Sequence, residues 1–401
     1  MSDDTIENVL ILQGGGSLGA FGCGVFKALA NSNMKIDIIA GTSIGGLNAS
    51  IIAGSKGEYP PEKALEQYWL ELGESSSANF INSPFMEGLA RYPTPTPTSL
   101  PSPSTPTTDH SAMTHMSQVK SVMSFYSSAI YGNNKIFVPR WRPESAFADP
   151  QYFTPNKWTY LYDHSPLVKT AEKYIDYNKL QPNGKYNSRL IITAVNVLTA
   201  EPLIFDSAKE QITSKHLLAA TGYPSYYFPW AEVEKGVYAW NGSLLSNTPL
   251  REVIDASPVK DKRVFLVENY PKRCDRLPDN LLEVQHRARD IMFSDKTLHN
   301  VQMSKTITYY LRLINDLYNM LEDHFSSEKD EDVEKFEKIR ARYKKLSEEH
   351  GAELKRVHYI TRSEPFPSLY ENADFSVDTI KASIKDGEQK TNQILKGIKM
   401  S

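Results

Sequence analysis

Short apolar runs alternate with helical patterns over the first 55 residues of the chain. Residues 9–12 and 36–40 are uninterrupted apolar segments of strand length, whereas 18–30 and 45–53 repeat apolar positions at helical spacing. Strands that alternate with helices belong to parallel sheets that are covered by helices on both faces. The sequence therefore predicts an α/β fold whose core is a buried, mainly parallel sheet.

The same patterns continue, less regularly, in the rest of the chain. Ser165-Pro166 has the composition of a helix start, residues 188–206 (SRLIITAVNVLTAEPLIFD) predict two strands joined by a turn, and residues 263–270 (RVFLVENY) predict one more strand. Two longer patterns, 311–321 and 333–346, place apolar residues at helical spacing among dense charges. We expect a helical hairpin that packs on itself, although a coiled coil for a partner protein has the same pattern.

A long insertion interrupts the predicted fold between about residues 85 and 130. Its centre, 93–108 (PTPTPTSLPSPSTPTT), contains only Pro, Thr, Ser and one Leu, and such a composition cannot bury enough surface to order itself. We expect a mobile loop, which its aromatic flanks make a candidate lid. The predicted domains are a main α/β domain over 1–300 and, over 301–401, the helical hairpin with a C-terminal strand and helix packed on that domain.

Composition excludes several classes of protein. Forty-five basic residues stand against 48 acidic ones, a net charge of −3, so no strong field attracts nucleic acid or an anionic membrane. Cys23 and Cys274 are too few for a disulfide framework, and no Cys/His spacing of the zinc type occurs. The sequence shows neither a signal peptide nor an apolar run of about eighteen residues. We expect a cytoplasmic protein without metal or cofactor, which contacts a membrane or lipid droplet at most peripherally.

Two glycine-rich turns carry the candidate chemistry. Gly14, Gly15 and Gly16 follow the first predicted strand, and the second strand runs into Gly41-Thr42-Ser43-Ile44-Gly45. In a Gly-x-Ser-x-Gly turn between a strand and a helix, small flanking residues leave the serine hydroxyl exposed above the sheet. Backbone N–H groups of a glycine loop on the neighbouring strand are then suited to stabilising an oxyanion. The two turns together predict that Ser43 is a nucleophile and that the three glycines form its oxyanion hole.

The first turn also matches a different motif. Gly14-x-Gly16-x-x-Gly19 has the spacing of the dinucleotide fingerprint, whose backbone N–H groups bind a pyrophosphate at a helix start. In that fold an acidic residue at the end of the second strand binds a ribose. Asp37 lies instead at the start of the second strand, and Ser43 follows its end. A dinucleotide-binding protein is therefore an alternative that the sequence favours less.

Four sequence blocks resemble, in order, those of the patatin-like phospholipase family. The glycine loop is similar to the oxyanion block of the family, and the turn at Ser43 is similar to its nucleophile block. Residues 219–230 (AATGYPSYYFPW) resemble a proline and aromatic block, and Asn241-Gly242-Ser243 with Asn247-Thr248-Pro249 resembles the block that carries the catalytic aspartate. The resemblance covers about residues 8–270. It implies a three-layer α/β/α fold and ester hydrolysis by a Ser-Asp dyad without histidine.

Position 241 departs from the family pattern. Where the resemblance implies the dyad aspartate, the chain has Asn241, and a neutral amide is too weak a base to take the serine proton, although it can hold a hydrogen bond. We expect the chain as given to bind an ester but to turn it over poorly. Either a single change has removed the base of a working enzyme, or the chain is a lipid-binding member that has lost its activity.

A histidine-containing triad is the other possible source of a base. The order Ser, acid, His of α/β-hydrolases is open to two aspartates and three histidines further along the chain, and no local pattern selects among them. These candidates are Asp206, Asp255, His286, His299 and His358.

Aromatic residues stand shortly before the predicted strand of Asn241. Tyr223, Tyr226, Tyr227 and Phe228 are the residues of interest. Ordinary packing explains such a segment as well as function does, but an apolar wall for an acyl chain has the same composition. They are the candidate substrate-binding residues for a lipid or another acyl ester, and the sequence does not choose between a phospholipid, a glyceride and a polyester.

Overall fold

The computed structural model describes most of the chain, and the structural statements below refer to the described residues. They are 6–81, 129–130, 132–143, 145–184, 188–294, 297–325, 331–364 and 370–399. The predicted loop at 93–108 lies outside them, so its mobility and its action as a lid stay predictions.

Ten strands in the described residues form one large sheet and one short ribbon. They are β1 (Glu7–Leu12), β2 (Ile38–Thr42), β3 (Val138–Pro139), β4 (Tyr162–Asp163), β5 (Arg189–Asn196), β6 (Pro202–Asp206), β7 (Ala231–Glu234), β8 (Val237–Asn241), β9 (Lys262–Glu268) and β10 (Leu354–Thr361). The large sheet has the order β10-β9-β1-β2-β5-β8-β7, with β6 also paired to β5, and β3 pairs with β4. The strands from β10 to β5 are parallel, whereas β6 and β8 run antiparallel to β5, and β7 to β8.

Eleven helices in the described residues cover this sheet or extend from it. They are α1 (Ala20–Asn31), α2 (Ile44–Ala53), α3 (Pro61–Ile81), α4 (Ser145–Ala148), α5 (Ser165–Ala171), α6 (Ser214–Thr221), α7 (Leu250–Ala256), α8 (Leu281–Phe293), α9 (Thr297–Phe325), α10 (Glu331–His350) and α11 (Val377–Lys399). Alternate side chains of β1 enter two cores: Leu10 and Leu12 pack with α1, α2, α3 and α11, and Val9 and Ile11 pack with α7 and α9. The predicted α/β/α fold with a mainly parallel sheet is confirmed.

The C-terminal region contributes to the sheet and to both of its faces. β10 is an edge strand beside β9, and α11 packs on α1. The helices α9 and α10 form a hairpin, in which Tyr318 stacks on Phe336 and Tyr343 with ring centroids 5.6 and 4.7 Å apart. Among the helices of the described residues, none is both long enough and apolar enough to cross a bilayer.

The topology of the sheet brings distant segments to one edge. β1 ends directly before the glycine loop, and β2 ends directly before Ser43. Thr42 pairs with Thr193 of β5, and the next residue of β5, Ala194, pairs with Asn241 of the antiparallel strand β8. Asn241 therefore stands level with Ser43, although 198 positions separate the two residues.

Candidate active site

Ser43 stands on a strained turn between β2 and α2. Its φ is 58° and its ψ is −129°, a combination that residues other than glycine adopt rarely and at a cost of about 1–3 kcal/mol. Position 41 requires glycine, because a Cβ on Gly41 would overlap the carbonyl of Gly45. Since α2 begins at Ile44, the partial positive charge of the helix start lies at the serine. This is the geometry of a nucleophile elbow.

Asn241 contacts the hydroxyl of Ser43 through its side-chain amide. Nδ2 of Asn241 lies 2.8 Å from Ser43 Oγ, and Oδ1 accepts a hydrogen bond of 2.9 Å from the backbone N–H of Ser243. Because a backbone N–H can only donate, Oδ1 has to be the acceptor there, which leaves the NH₂ group facing the serine. The buried amide therefore donates to the serine oxygen, at the place where a carboxylate would accept the serine proton.

The glycine loop after β1 lies at the same place. Gly15 and Gly16 line one cavity together with Ser43 and Asn241. The N–H of Gly14, however, is already donated to Asn247 Oδ1 at 3.1 Å. The predicted role of Gly14 as an oxyanion donor is therefore wrong, whereas Gly15 and Gly16 remain candidate donors.

Three buried polar side chains hold the glycine loop. Gln13 Nε2 donates to Thr248 Oγ1 at 2.8 Å, and Asn269 Nδ2 donates to the backbone oxygens of Gln13 and Gly14, both at 3.1 Å. Asn247 makes the third contact, through the Gly14 N–H. Because a buried polar group loses free energy when it is left unpaired, these hydrogen bonds restrict where the loop can lie. The Asn-Thr-Pro segment thus fastens the glycine loop, a role that the sequence did not reveal.

The C-terminal part of the chain closes the other side of the loop. Gly16 has a φ of 59°, and a Cβ there would overlap the backbone oxygen of Asn372. Ser17 Oγ donates to the backbone oxygen of Glu371 at 2.7 Å, and the Asn372 side chain hydrogen-bonds the hydroxyl of Tyr226. Residues 371–375 therefore form a wall of the site, and we call them the C-terminal wall.

A mainly apolar cavity of about 230 Å³ opens at Ser43. Pockets for drug-sized ligands have about 300–1,000 Å³, so this cavity fits part of a lipid, such as one acyl chain. All four predicted aromatic residues, Tyr223, Tyr226, Tyr227 and Phe228, line it. Further apolar lining residues are Ile136, Phe137, Tyr162, Leu167, Tyr270, Phe293 and Phe375.

His164 is a lining residue that sequence reasoning missed. Its Nε2 lies 3.0 Å from the backbone oxygen of Leu218, and its ring stacks on Phe228 with centroids 4.8 Å apart. Burial lowers the pKa of His164, so the ring is neutral at pH 7 and Nε2 is its donor. A lone histidine in a loop carries no motif that would have marked it, and its place depends on the packing of α5 against α6.

A buried ionic cluster lies behind the C-terminal wall. The Glu371 carboxylate accepts hydrogen bonds of 2.8 Å from Arg289 and Arg362, and it lies 3.3 Å from His286 Nε2. Burial by itself raises the pKa of Glu371, but the Arg362 guanidinium and the hydrogen bond with His286 outweigh burial and hold this pKa at about 2. Burial raises the pKa of the neighbouring Glu364 to about 8. The cluster ties α8 and β10 to the wall of the site.

Four members of this region resemble a metal-binding set. Ligand atoms of His286, Asp290, Glu364 and Glu371 lie within 4.8 Å of one another. Two guanidinium groups already lie among them, because Arg289 pairs with Asp290 at 2.9 Å as well as with Glu371, and Arg362 contacts Glu364 and Glu371. Two positive charges balance two carboxylates while Glu364 keeps its proton. The donor set therefore fits an internal ion network better than a metal ion.

The alternative bases of a histidine triad do not line this cavity in the described part of the chain. Each is placed elsewhere: Asp206 is paired with Arg189, Asp255 with Arg251 and His286 with Glu371, while His358 stacks on Phe265 and His299 is exposed on α9.

Comparison with known proteins adds a family to this geometry. Residues 10–254 match the family described as patatin-like phospholipase. VipD from Legionella pneumophila is similar in structure, with 12% sequence identity, a TM-score of 0.35 and coverage of 98% of this chain and 67% of VipD. ExoU from Pseudomonas aeruginosa, solved in complex with SpcU, has 15% identity, a TM-score of 0.25 and coverage of 71% of this chain and 47% of that chain. Among curated protein sequences, none matches the chain significantly.

The matched residues include the glycine loop, the turn at Ser43 and the strand of Asn241, and they make up more than half of the chain. This match overturns the dinucleotide-binding alternative, and the second strand indeed ends in a serine elbow without an acidic residue. The chain belongs to the patatin-like phospholipase family.

Proposed function

We propose that the chain is a serine acyl hydrolase of lipid esters in which Ser43 attacks the ester carbonyl. Family membership supports a hydrolase that acts on lipid esters. One observation carries the assignment of the residues: Ser43 Oγ stands on a strained turn, 2.8 Å from the Asn241 amide, in the wall of an apolar cavity that Gly15 and Gly16 share. A nucleophile, a position for a base and backbone donors beside an apolar space are the parts that acyl transfer requires.

The reaction would proceed in two stages. Ser43 Oγ adds to the carbonyl carbon and gives up its proton, while negative charge develops on the carbonyl oxygen beside the N–H groups of Gly15 and Gly16. The C–O bond of the ester then breaks, the alcohol leaves with the proton, and water hydrolyses the acyl-serine in the same manner. A carboxylate at position 241 would carry the proton in both stages. Asn241 cannot, because its NH₂ group donates to Ser43.

The orientation of the Asn241 amide favours a second candidate function, in which the chain binds lipid esters without turning them over. The hydrogen bond to Ser43 preserves the geometry of the site while leaving the serine without a base. The two candidates differ in the Asn241→Asp variant. A hydrolase that lacks only its base becomes active in this variant, whereas a binding protein stays inactive.

A serine-directed fluorophosphonate probe tests the nucleophile. We expect fast labelling of the Asn241→Asp variant, slow labelling of the chain as given, and no labelling after an additional Ser43→Ala substitution. Ser225 also lines the cavity, so Ser225→Ala is the matched control and should not prevent labelling. Labelling that survives Ser43→Ala, or that is lost only in Ser225→Ala, would contradict the assignment of Ser43.

A further inference from the structure

The amphipathic character of α8 is reversed relative to that of an ordinary surface helix. Its buried side carries His286, Arg289 and Asp290, each less than one tenth exposed. Its apolar residues lie on the solvent side. A surface helix normally buries its apolar stripe and exposes its charges.

Five exposed residues define the outer face of α8. At 100° per residue they fall within one third of the helix circumference, so they form a single apolar stripe. Single exposed apolar residues are common, but a continuous stripe of them on one helix marks an interaction surface. The stripe consists of Leu281, Val284, Ala288, Ile291 and Met292, of which Leu281 and Met292 are each 71% exposed.

The ionic cluster prevents the helix from hiding this stripe. Arg289 bonds both Asp290 and the Glu371 carboxylate, and His286 lies against the same carboxylate. A rotation of α8 that buried Val284 would separate these charges from their partners and leave them unpaired in the interior. The outer face of α8 is therefore held toward the solvent by the fold.

The outer face of α8 continues into the rim of the cavity. The helix ends at Phe293, which lines the cavity and stacks on Tyr270 with centroids 5.0 Å apart, and Met292 stands exposed beside it. Other parts of the rim are apolar too. The exposed rings of Tyr226 and Tyr227 belong to the cavity wall, and exposed leucines at 244 and 245 follow the lining residue Ser243.

We propose that the outer face of α8 docks on the surface of a lipid aggregate and holds the cavity of Ser43 over it. This inference rests on the proposed function, because it takes the substrate to be a lipid ester. The cavity of about 230 Å³ admits only part of a lipid, so the rest of the molecule remains in its aggregate while the ester reaches Ser43. An apolar helix face lying in the plane of the interface and tyrosines at the rim suit such a surface. A net charge of −3 makes an uncharged lipid surface the expected target.

Co-sedimentation with phosphatidylcholine vesicles tests the docking face directly. The full chain carries Ser43→Ala, so that it cannot hydrolyse the lipid. We expect Val284→Glu with Ile291→Glu to lower the partition onto vesicles at least about tenfold, because apolar contacts are lost and charges enter the interface. Both positions are exposed, and circular dichroism checks that the variant folds.

Val259→Glu is the matched control. Val259 is 61% exposed, close to the 59% of Ile291, but it lies just before β9. The first residue of β9 pairs with the first residue of β1, so Val259 lies at the edge of the sheet opposite Ser43. We expect this variant to bind vesicles as the parent does. Unchanged binding in the α8 variant, or an equal loss in Val259→Glu, would overturn the proposal.

Two other occupants are distinguished by further measurements. Leu317→Glu places a charge on the exposed apolar side of α9, and a loss of vesicle binding in this variant alone would assign the lipid contact to the hairpin and overturn the proposal. Light scattering reports self-association. If the α8 variant dissociates an oligomer without changing vesicle binding, the face contacts a second copy and the proposal is overturned.

Turnover separates this inference from the proposed function. In the Asn241→Asp chain, we expect the α8 substitutions to lower the ratio of vesicle-ester to soluble-ester hydrolysis about tenfold or more. An unchanged ratio in an active enzyme would contradict docking through α8. If Asn241→Asp hydrolyses neither ester, the proposed function fails, while vesicle binding by the Ser43→Ala chain still decides whether the outer face of α8 contacts lipid.

Discussion

Asn247 Oδ1 accepts a hydrogen bond of 3.1 Å from the backbone N–H of Gly14 and another of 3.0 Å from Ser243 Oγ. One buried amide oxygen thus joins the glycine loop to the turn that follows Asn241, although Gly14 and Asn247 are 233 positions apart. The distance between the candidate oxyanion donors and the position of the base depends on this contact.

Asn247→Ala should therefore damage catalysis more than substrate binding. In the Asn241→Asp chain, we expect kcat to fall about 10- to 100-fold with little change in KM, because a buried donor left without its acceptor costs about 1–3 kcal/mol and displaces the loop. The control is Thr391→Val, which removes a buried hydroxyl that bonds within α11. This variant should lose stability and keep its kcat. A normal kcat in Asn247→Ala would show that the clamp does not position the loop.

Gly16→Ala should cost more stability than a glycine substitution with the same backbone strain alone. Gly236 has a φ of 81° and no atom within 4 Å of its missing Cβ, whereas Gly16 has a φ of 59° and faces the Asn372 carbonyl. We expect Gly236→Ala to cost about 1 kcal/mol of unfolding free energy, and Gly16→Ala at least about 2 kcal/mol, because the C-terminal wall has to move. Urea unfolding measures both. Equal costs would mean that the wall does not pack on the glycine loop.

Arg362→Ala should destabilise the protein strongly, because it removes one of the two guanidinium groups beside the buried Glu371. Arg362 also donates to the backbone oxygen of Asn269, which in turn holds the glycine loop. We expect a loss of about 3–5 kcal/mol in chemical denaturation. Arg312→Ala, which removes an exposed ion pair with Glu353, is the control and should leave stability nearly unchanged. Similar losses in the two variants would contradict the role of the cluster.

The lowered pKa of Glu371 predicts how the fold responds to acid. Because the pKa in the folded chain is about 2 and the ordinary value is 4.5, the stabilisation is present above about pH 4.5 and is lost as the pH falls toward 2. Glu364, whose pKa is raised, stays protonated in both folded and unfolded chains in this window. Glu371 thus contributes a loss of up to about 1.4 kcal/mol per pH unit. Urea unfolding between about pH 4.5 and 3 should show a weaker acid dependence in Glu371→Gln, and parallel curves would contradict this account.

The parts of the site that local sequence determines were predictable, and those that depend on distant packing were not. The alternation of strand and helix around Ser43 is local, so the elbow could be predicted from a few residues. The position of Asn241 came from the family resemblance, since nothing in the sequence of β8 shows that this strand runs antiparallel and ends level with Ser43. The use of the Gly14 N–H by Asn247 likewise depends on contacts across the whole domain.

The same distinction explains the walls of the cavity. The run of aromatic residues at 223–228 is a visible local signal, and it does line the cavity. Phe293 and Phe375 are single residues in otherwise ordinary segments. They reach the cavity because α8 and the C-terminal wall are held there by the ionic cluster, whose members come from three separate parts of the chain.

The central claim is that Ser43 lacks only a base and that position 241 is where the base belongs. An aspartate there would keep the hydrogen bond from the Ser243 N–H on one oxygen and accept the Ser43 proton on the other, so the direction of the contact with the serine would reverse. Because this change acts on proton transfer and leaves the cavity as it is, it should raise kcat and leave KM almost unchanged.

The turnover of a short-chain ester by Asn241→Asp, measured against the chain as given, tests this claim most directly. We predict a gain of roughly 100- to 10,000-fold in kcat, lost again on Ser43→Ala, with activity declining on the acid side as one carboxylate is protonated. Asn241→Gln keeps an amide and should show no gain. An Asn241→Asp chain that folds normally and hydrolyses the ester no faster than the chain as given would contradict the account.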